Sequence, residues 1–198
     1  MKVDVSVVIP TMNRPDSLLR TLDHIITSDC VPSQIIVVDQ SQTGEMQEAN
    51  KVVVEKCSNN VVKIEYYYQS MPSLTKARNY GFSFVKNEIV VFSDDDVDVK
   101  KDTFSNIIAL FSDKNLAMAG AVNEGEENNS ASVLSHIFGM ASFRKRNIGH
   151  MARACYGRFP SICDNETPSE WAMGFFFVVR NSLMTSWNIR FDENLKSY

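Results

Sequence analysis

Short apolar runs alternate with amphipathic segments along the first two-thirds of the chain. The runs are rich in Val, Ile and Phe, which is typical of buried strands, and they cover residues 5–9, where Pro10 is expected to end the strand, 34–39, 61–68, 89–92 and 116–122. Between them apolar residues recur at helical spacing, which predicts one helix that opens at Pro15 and others at 45–56, 73–85, with Ser73 as its N-cap, and 101–111. Strands that alternate with helices in this way predict βαβ units, and therefore an α/β fold with a mostly parallel sheet.

The pattern changes at residue 123. Residues 123–130 are polar and acidic, and residues 144–158 carry several basic side chains, beginning with Arg144, and no acidic one. A buried strand at 170–180 and a short helix at 181–187 follow. We therefore divide the chain into 1–122 and 123–198, and expect a flexible loop at about 123–168.

Composition excludes several classes of protein. With 44% hydrophobic residues in 198, the chain has ample apolar content for a core. Its net charge of -4 argues against a general nucleic-acid binder. No apolar run approaches the roughly 20 residues of a membrane helix, and the first residues do not resemble a signal peptide, so we expect a cytoplasmic protein. The cysteines lack paired spacing, which predicts free thiols.

Polar side chains follow three of the predicted strands at the point where each strand ends. Thr11 follows the first strand, Asp39 the second, and Asp94–Asp96 the fourth. The carboxyl ends of parallel strands meet at one edge of a sheet, where ligands bind in such folds. We therefore expect these residues to gather on one rim.

Three adjacent carboxylates repel one another, so Asp94–Asp96 are expected to need a positive partner. A divalent cation suits them, because Mg²⁺ takes one or two carboxylates together with substrate phosphates. The alternative is a solvated acidic turn or a helix-capping cluster. Arg78, near the start of a predicted helix, is a candidate to bind phosphate or a base carbonyl, or else to form a structural ion pair with an aspartate.

Six pieces of sequence, in order, resemble the family 2 glycosyltransferases with the GT-A fold. They are VSVVIPTMNRP at 5–15, IIVVD at 35–39, KARNYG at 76–81, VVFSDDD at 90–96, WAMG at 171–174 and FDE at 191–193. The order and spacing match as well as the pieces. The resemblance covers nearly the whole chain and is weakest across 123–168.

The resemblance implies an enzyme of polysaccharide biosynthesis that transfers a sugar with inversion of configuration at its anomeric carbon. The donor would be a nucleotide-diphospho-sugar, with a UDP-sugar first, and the acceptor a hydroxyl of a saccharide or a lipid-linked molecule. By this resemblance residues 1–122 are the nucleotide-sugar-binding half and 123–198 an incomplete acceptor-side half. The implied roles are nucleotide binding by Thr11, Asp39, Arg78, Asp94 and Asp95, ligation of Mg²⁺ or Mn²⁺ by Asp96 in a DxD-type motif, and a sugar or acceptor pocket at Trp171 and Gly174.

The chain departs from the family pattern at two places. The family often has a second acidic residue after the second strand, where this chain has Gln40. The family's catalytic base lies in an acidic motif soon after the Phe-Asp-Glu segment, and the chain ends at Tyr198 before such a motif. We therefore expect the base beyond Tyr198, with Glu170 as a weaker candidate.

Two other functions compete with the transferase. A sugar-nucleotide pyrophosphorylase would show a glycine-rich loop after the first strand, where this chain has PTMNRP without glycine. A non-catalytic nucleotide-sugar-binding module would share the sheet and lack the base. The basic stretch near Arg144 could make peripheral contact with an anionic membrane or a lipid-linked phosphate, and otherwise is a solvated loop.

Overall fold

The computed structural model describes residues 1–58, 62–122 and 168–195. Two compact units are present: Met1–Ala119 with Gly174–Tyr198, and Gly120–Met173. The predicted loop at 123–168 and the basic stretch near Arg144 lie almost wholly outside the described residues, and the division into functional halves stays a prediction. The strands are β1 (Lys2–Thr11), β2 (Val31–Asp39), β3 (Lys63–Tyr68), β4 (Ile89–Ser93), β5 (Met118–Gly120) and β6 (Phe176–Arg180), and the helices are α1 (Pro15–Ile26), α2 (Gly44–Cys57), α3 (Leu74–Phe82), α4 (Thr103–Leu110) and α5 (Asn181–Ser186).

The strands form one mixed sheet in the order β3-β2-β1-β4-β6-β5. Strands β1 to β4 are parallel to one another, whereas β6 runs antiparallel to β4. The predicted α/β fold with a mostly parallel sheet is therefore confirmed. The chain steps from β1 to β3 in one direction and then returns to place β4 on the other side of β1. Since crossovers are right-handed, α1 and α2 cover one face of the sheet and α3 the other.

The core lies along the central strands. Nearly every residue of β1 and β2 is buried, as expected for strands covered on both faces. The prediction that Pro10 ends the first strand is wrong, because β1 continues to Thr11. At this point β1 pairs with β2 alone, since its register with β4 ends at Val8. A proline without an N–H is tolerated where a strand has a partner on one side only.

Helix α3 lies close against β1 and β2 because of a glycine. Ser73 caps the helix as its pattern predicts, accepting a hydrogen bond from the Lys76 amide, but the helix ends at Phe82, three residues earlier than expected. A Cβ atom built on Gly81 would lie 2.5 Å from Val8 Cγ1 and 3.1 Å from Val38 Cγ2. A side chain at residue 81 would therefore push the helix off the sheet.

No helix in the described ranges is long and apolar enough to cross a membrane.

Gly81→Ala should destabilise the fold by about 1–3 kcal/mol, the usual cost of overpacking a core. Gly44→Ala is the matched control, because a Cβ atom there meets nothing within 4 Å. Urea unfolding followed by circular dichroism measures both. Equal free energies of unfolding for the two variants would show that the close approach of α3 is not rigid.

Glu65 on β3 supplies an acid-sensitive contact. Burial alone would raise the pKa of Glu65, but hydrogen bonds from Lys86, Tyr67 and Gln34 outweigh it and lower the pKa below its ordinary 4.5. A carboxyl with a lowered pKa in the folded state stabilises the protein above its unfolded pKa, and this stability is lost as pH falls through the folded pKa.

Glu65→Gln should therefore lower the free energy of unfolding at about pH 7 and have a smaller effect at about pH 3, which lies below the ordinary pKa of the carboxyl, so that part of the stability supplied by its ionised form has been lost. Urea unfolding of both proteins at the two pH values measures the difference. An unchanged difference between pH 7 and pH 3 would contradict a role for the ionised carboxylate.

Candidate functional site

The carboxyl ends of β1, β2 and β4 meet at the point where the chain reverses its direction across the sheet. Thr11 is the last residue of β1 and lies in register with Asp39, the last residue of β2. Asp94 follows β4 directly. Crevices at such reversal points are where open α/β sheets bind ligands. We call residues Thr11, Asp39 and Asp94–Asp96 the acidic rim.

Asp95 joins the end of β4 to the end of β1. Its side chain is 1% exposed, and its Oδ2 accepts a hydrogen bond of 2.6 Å from Thr11 Oγ1. Its Oδ1 lies 2.9 Å from Arg14 Nη2, and Thr21 on α1 donates to its main-chain carbonyl. Burial raises the pKa of Asp95, while the Thr11 hydrogen bond and the Arg14 charge oppose that rise. The carboxylate is thus embedded in the fold.

Asp94 forms a second, separate ion pair with Arg78. Arg78 Nη2 lies 2.9 Å from Asp94 Oδ1 and donates to the Gly174 carbonyl at 2.6 Å. Its guanidinium carbon is 5.5 Å and 5.6 Å from the ring centres of Phe177 and Phe191. Burial lowers the pKa of Arg78 and raises that of Asp94, and their mutual attraction opposes both shifts. The structural ion pair that the sequence left open for Arg78 is therefore present, and it brings Gly174 to the rim.

The neighbouring Asn79 fastens a late segment of the chain to the same helix. Its side-chain amide donates to the Phe191 carbonyl and accepts from the Phe191 N–H, both at 2.9 Å. The same Nδ2 group donates to Glu193. Arg78 and Asn79 together therefore hold residues 174–177 and 191–193 against α3.

Asp39 is fully buried and satisfied by neutral donors. Its Oδ1 accepts from the main-chain N–H and the hydroxyl of Ser41, and its Oδ2 accepts from the Tyr66 hydroxyl at 2.6 Å. Burial raises the pKa of Tyr66, and the hydrogen bond to Asp39 raises it further. Contact of Asp39 with a nucleotide base would require its surroundings to open, and this role stays a prediction.

Asp96 is the carboxylate of the rim that faces solvent, with 49% of its side chain exposed. Its Oδ2 lies 3.0 Å from Arg14 Nη1, and Arg20 donates to its main-chain carbonyl. Arg14 therefore pairs with Asp95 and Asp96 at once, while Arg78 pairs with Asp94. The three carboxylates thus share two arginines, one from α3 and one from the loop before α1, which supply part of the positive charge expected beside them; binding of a cation at Asp96 stays a prediction.

The candidate metal-ligating side chains of the rim suit a cation that is already bound to phosphate. The described residues hold no group of three or more His, Cys, Asp or Glu side chains arranged around a metal position. Mg²⁺ commonly takes one or two carboxylates from the protein and its remaining ligands from phosphates. The exposed Asp96, next to a second aspartate, matches that number of protein ligands. The side chains thus fit a nucleotide-bound cation better than a free one.

Two predicted site residues belong to the other unit. Glu170 and Trp171 lie in Gly120–Met173, and Ser169 exchanges hydrogen bonds with the main chain of Trp171. Glu170 is exposed and Trp171 is partly buried. Their assignments as a base and a pocket residue stay predictions.

Three residues that organise the rim were missed from the sequence. They are Arg14, Tyr66 and Gln40, whose side-chain amide donates to Gln69, Met71 and Ser73 in the loop before α3. A signal existed for Arg14, since it lies in the loop after β1, beside the strand that carries the aspartates. None existed for Tyr66, because its partner Asp39 lies on another strand.

Asp95→Ala should destabilise the protein by about 1–3 kcal/mol, since it leaves the buried Thr11 hydroxyl without an acceptor. Asp96→Ala should change the free energy of unfolding by no more than about 0.5 kcal/mol, the range of surface substitutions. Denaturant unfolding without metal compares the two. Equal losses of unfolding free energy in the two variants would show that the buried Asp95 contributes no more to stability than the exposed Asp96.

Comparisons with known proteins agree with this architecture. The minor teichoic acid biosynthesis protein GgaB of Bacillus subtilis (strain 168) is 28% identical over 110 residues, which are 54% of this chain and 12% of GgaB. The mannosyltransferase PcManGT from Pyrobaculum calidifontis, solved with GDP-Man and Mn²⁺, superposes with a TM-score of 0.64 at 16% identity, over 94% of this chain and 47% of that chain. S. aureus TarS 1-349 gives a TM-score of 0.60 at 19% identity, over 98% of this chain and 52% of that chain.

These likenesses confirm the expected GT-A fold, and at such identities the structures show the fold alone. The chain spans about half the length of these two solved structures and 12% of GgaB. The model of glycosyl transferase family 2 matches residues 6–176, and the chain therefore belongs to that family.

Proposed function

We propose that this chain forms the donor-binding part of an enzyme that transfers a sugar, a hexose or a related one, from a nucleotide-diphospho-sugar to an acceptor hydroxyl with inversion. The observation that carries the proposal is the exposed Asp96 carboxylate at the reversal point of the sheet, beside the buried Asp95 and the partly exposed Asp94, which is paired with Arg78. A site with one open carboxylate on a rigid base can take a cation and leave the remaining positions to a diphosphate. Similar solved structures support the same class of ligand: one contains GDP-Man and Mn²⁺, another UDP-GlcNAc, and a third UDP and Mn²⁺.

The residues that hold Asp94 and Asp95 are proposed to keep Asp96 in place for the reaction. Thr11 and Arg14 hold Asp95, and Arg78 holds Asp94, so the end of β4 offers Asp96 from a fixed main chain. When bound, a divalent cation stabilises the negative charge that develops on the departing nucleoside diphosphate. Nucleotide binding is proposed for Thr11, Asp39, Arg78, Asp94 and Asp95.

The acceptor is proposed to be a saccharide or a lipid-linked hydroxyl of a cell-envelope polymer. The support is GgaB, whose name assigns it to minor teichoic acid biosynthesis. Peripheral membrane contact through the stretch near Arg144 and a cytoplasmic location stay predictions. A UDP-sugar is the first donor to test, with GDP- and dTDP-sugars alongside it.

Isothermal titration calorimetry with UDP tests the proposal directly. UDP should bind in the presence of Mn²⁺ and lose most of its affinity in excess chelator, because Asp94–Asp96 share only two arginines and keep a net negative charge that repels an unneutralised diphosphate. Asp96→Asn should remove the effect of Mn²⁺ on UDP binding. The matched control is Asp98→Asn, an exposed aspartate two residues away that pairs with Arg20 and His24 and should behave as the native protein.

Equal UDP affinity with Mn²⁺ and with chelator would overturn metal-assisted donor binding. Absence of binding by every nucleoside diphosphate tested would overturn the donor-binding function itself. Loss of Mn²⁺ dependence in Asp98→Asn as well as in Asp96→Asn would move the cation away from Asp96.

A further inference from the structure

The guanidinium of Arg14 contacts two carboxylates, one of which is buried and the other half exposed. Its Nη2 lies 2.9 Å from Oδ1 of the buried Asp95, and its Nη1 lies 3.0 Å from Oδ2 of the half-exposed Asp96. The Asp95 Oδ1 atom is buried and makes no hydrogen bond of good geometry, so its compensation rests on the Arg14 charge. Arg14 itself is 54% exposed, so its end can move without opening the core.

The charges show why Arg14 matters for ligand binding. Asp94 already has Arg78 as a partner, which leaves one arginine for Asp95 and Asp96. A cation that approached Asp96 would meet the Arg14 guanidinium on the same carboxylate. Like charges on one carboxylate repel, so a cation alone must compete with Arg14 for Asp96.

We propose that Arg14 is a displaceable counter-ion of Asp96: its Nη1 holds Asp96 when the site is free of ligand and turns to the donor's phosphate oxygens when Asp96 takes a divalent cation, while its Nη2 stays paired with the buried Asp95. The proposal rests on the donor-binding function proposed above. A guanidinium suits both partners, because its planar fork pairs with carboxylate and phosphate alike. Release of Asp96 and capture of phosphate then occur together, and no arginine charge is left without a partner.

A coupling between cation and nucleotide follows from this exchange. In the native protein the cation alone binds weakly because Arg14 occupies Asp96, whereas a diphosphate gives Arg14 another partner. Each ligand should therefore raise the affinity for the other by the same factor. Without Arg14, the cation should bind alone more tightly, and this factor should shrink.

The structure supplies a matched control. Arg20 lies on α1, is 53% exposed and forms an ion pair of 3.0 Å with Asp98. It reaches Asp96 through the main-chain carbonyl and not through the carboxylate. Arg20→Gln thus removes one positive charge near Asp96 without freeing the carboxylates of Asp95 or Asp96.

The experiment measures Mn²⁺ binding without nucleotide, by the loss of the free Mn²⁺ electron paramagnetic resonance signal. Arg14→Gln should bind Mn²⁺ about tenfold more tightly than the native protein, the lower end of the effect that one nearby opposite charge has on a carboxylate, because Arg14 is half exposed. Arg20→Gln should differ from the native protein by less than about twofold. Arg14→Lys, which keeps the charge but cannot span two carboxylates, should give an intermediate affinity and serves if Arg14→Gln unfolds.

A second titration, UDP in saturating Mn²⁺, should show weaker binding in Arg14→Gln than in the native protein. Unchanged or weaker Mn²⁺ affinity in the folded Arg14 variants, or equal gains in Arg14→Gln and Arg20→Gln, would overturn the proposal. The two proposals fail separately. If no protein binds UDP but Arg14→Gln still binds Mn²⁺ more tightly, the counter-ion role stands and the donor-binding function falls.

Discussion

The buried carboxylate of Asp95 is the interaction on which the rest of the site depends. It ties the end of β4 to the end of β1 through Thr11, and to the loop before α1 through Arg14. A buried charge is tolerated only where donors and an opposite charge surround it. Because Asp95 meets that condition inside the protein, the main chain at its neighbours is fixed. Asp94 and Asp96 therefore point in defined directions, one toward Arg78 and one toward solvent.

Two arginines, Arg78 and Arg14, determine the electrostatics of the acidic rim. Arg78 is almost fully buried and has a permanent role, since it joins Asp94, the Gly174 carbonyl and two aromatic rings. Arg14 is half exposed and holds its carboxylates from the surface. The difference in burial separates a structural cation from an exchangeable one, although both make ion pairs of similar length. The exposed contact between Arg14 and Asp96 can be given up at low cost, whereas the contact of the buried Arg78 with Asp94 cannot.

The periodicity of apolar residues predicted the fold well because the sheet is covered on both faces and each buried strand is a continuous apolar run. Local chemistry also predicted that α1 begins at Pro15 and that Ser73 caps α3. Element ends that depend on tertiary partners were less predictable. The strand expected at 170–180 begins only at Phe176, where its register with Ser93 starts, and apolar content alone does not reveal that pairing.

The position of the rim followed from strand order, but its electrostatics did not. Three consecutive aspartates suggested a need for a cation, and the sequence could not show that Arg14 and Arg78 reach them from other elements. The contact of Asp39 with Tyr66 was hidden for the same reason, because it crosses from β2 to β3.

The double hydrogen bond between the Asn79 side chain and the Phe191 main chain restricts what natural variation can do at this position. An aspartate has the same shape as Asn79 but cannot donate to the Phe191 carbonyl, and it would place a negative charge beside Glu193. A glutamine is longer by one methylene group and would misalign both bonds. Homologous sequences that keep this segment should therefore keep asparagine at position 79, and those that lose it should change residues 191–193 in the same lineages.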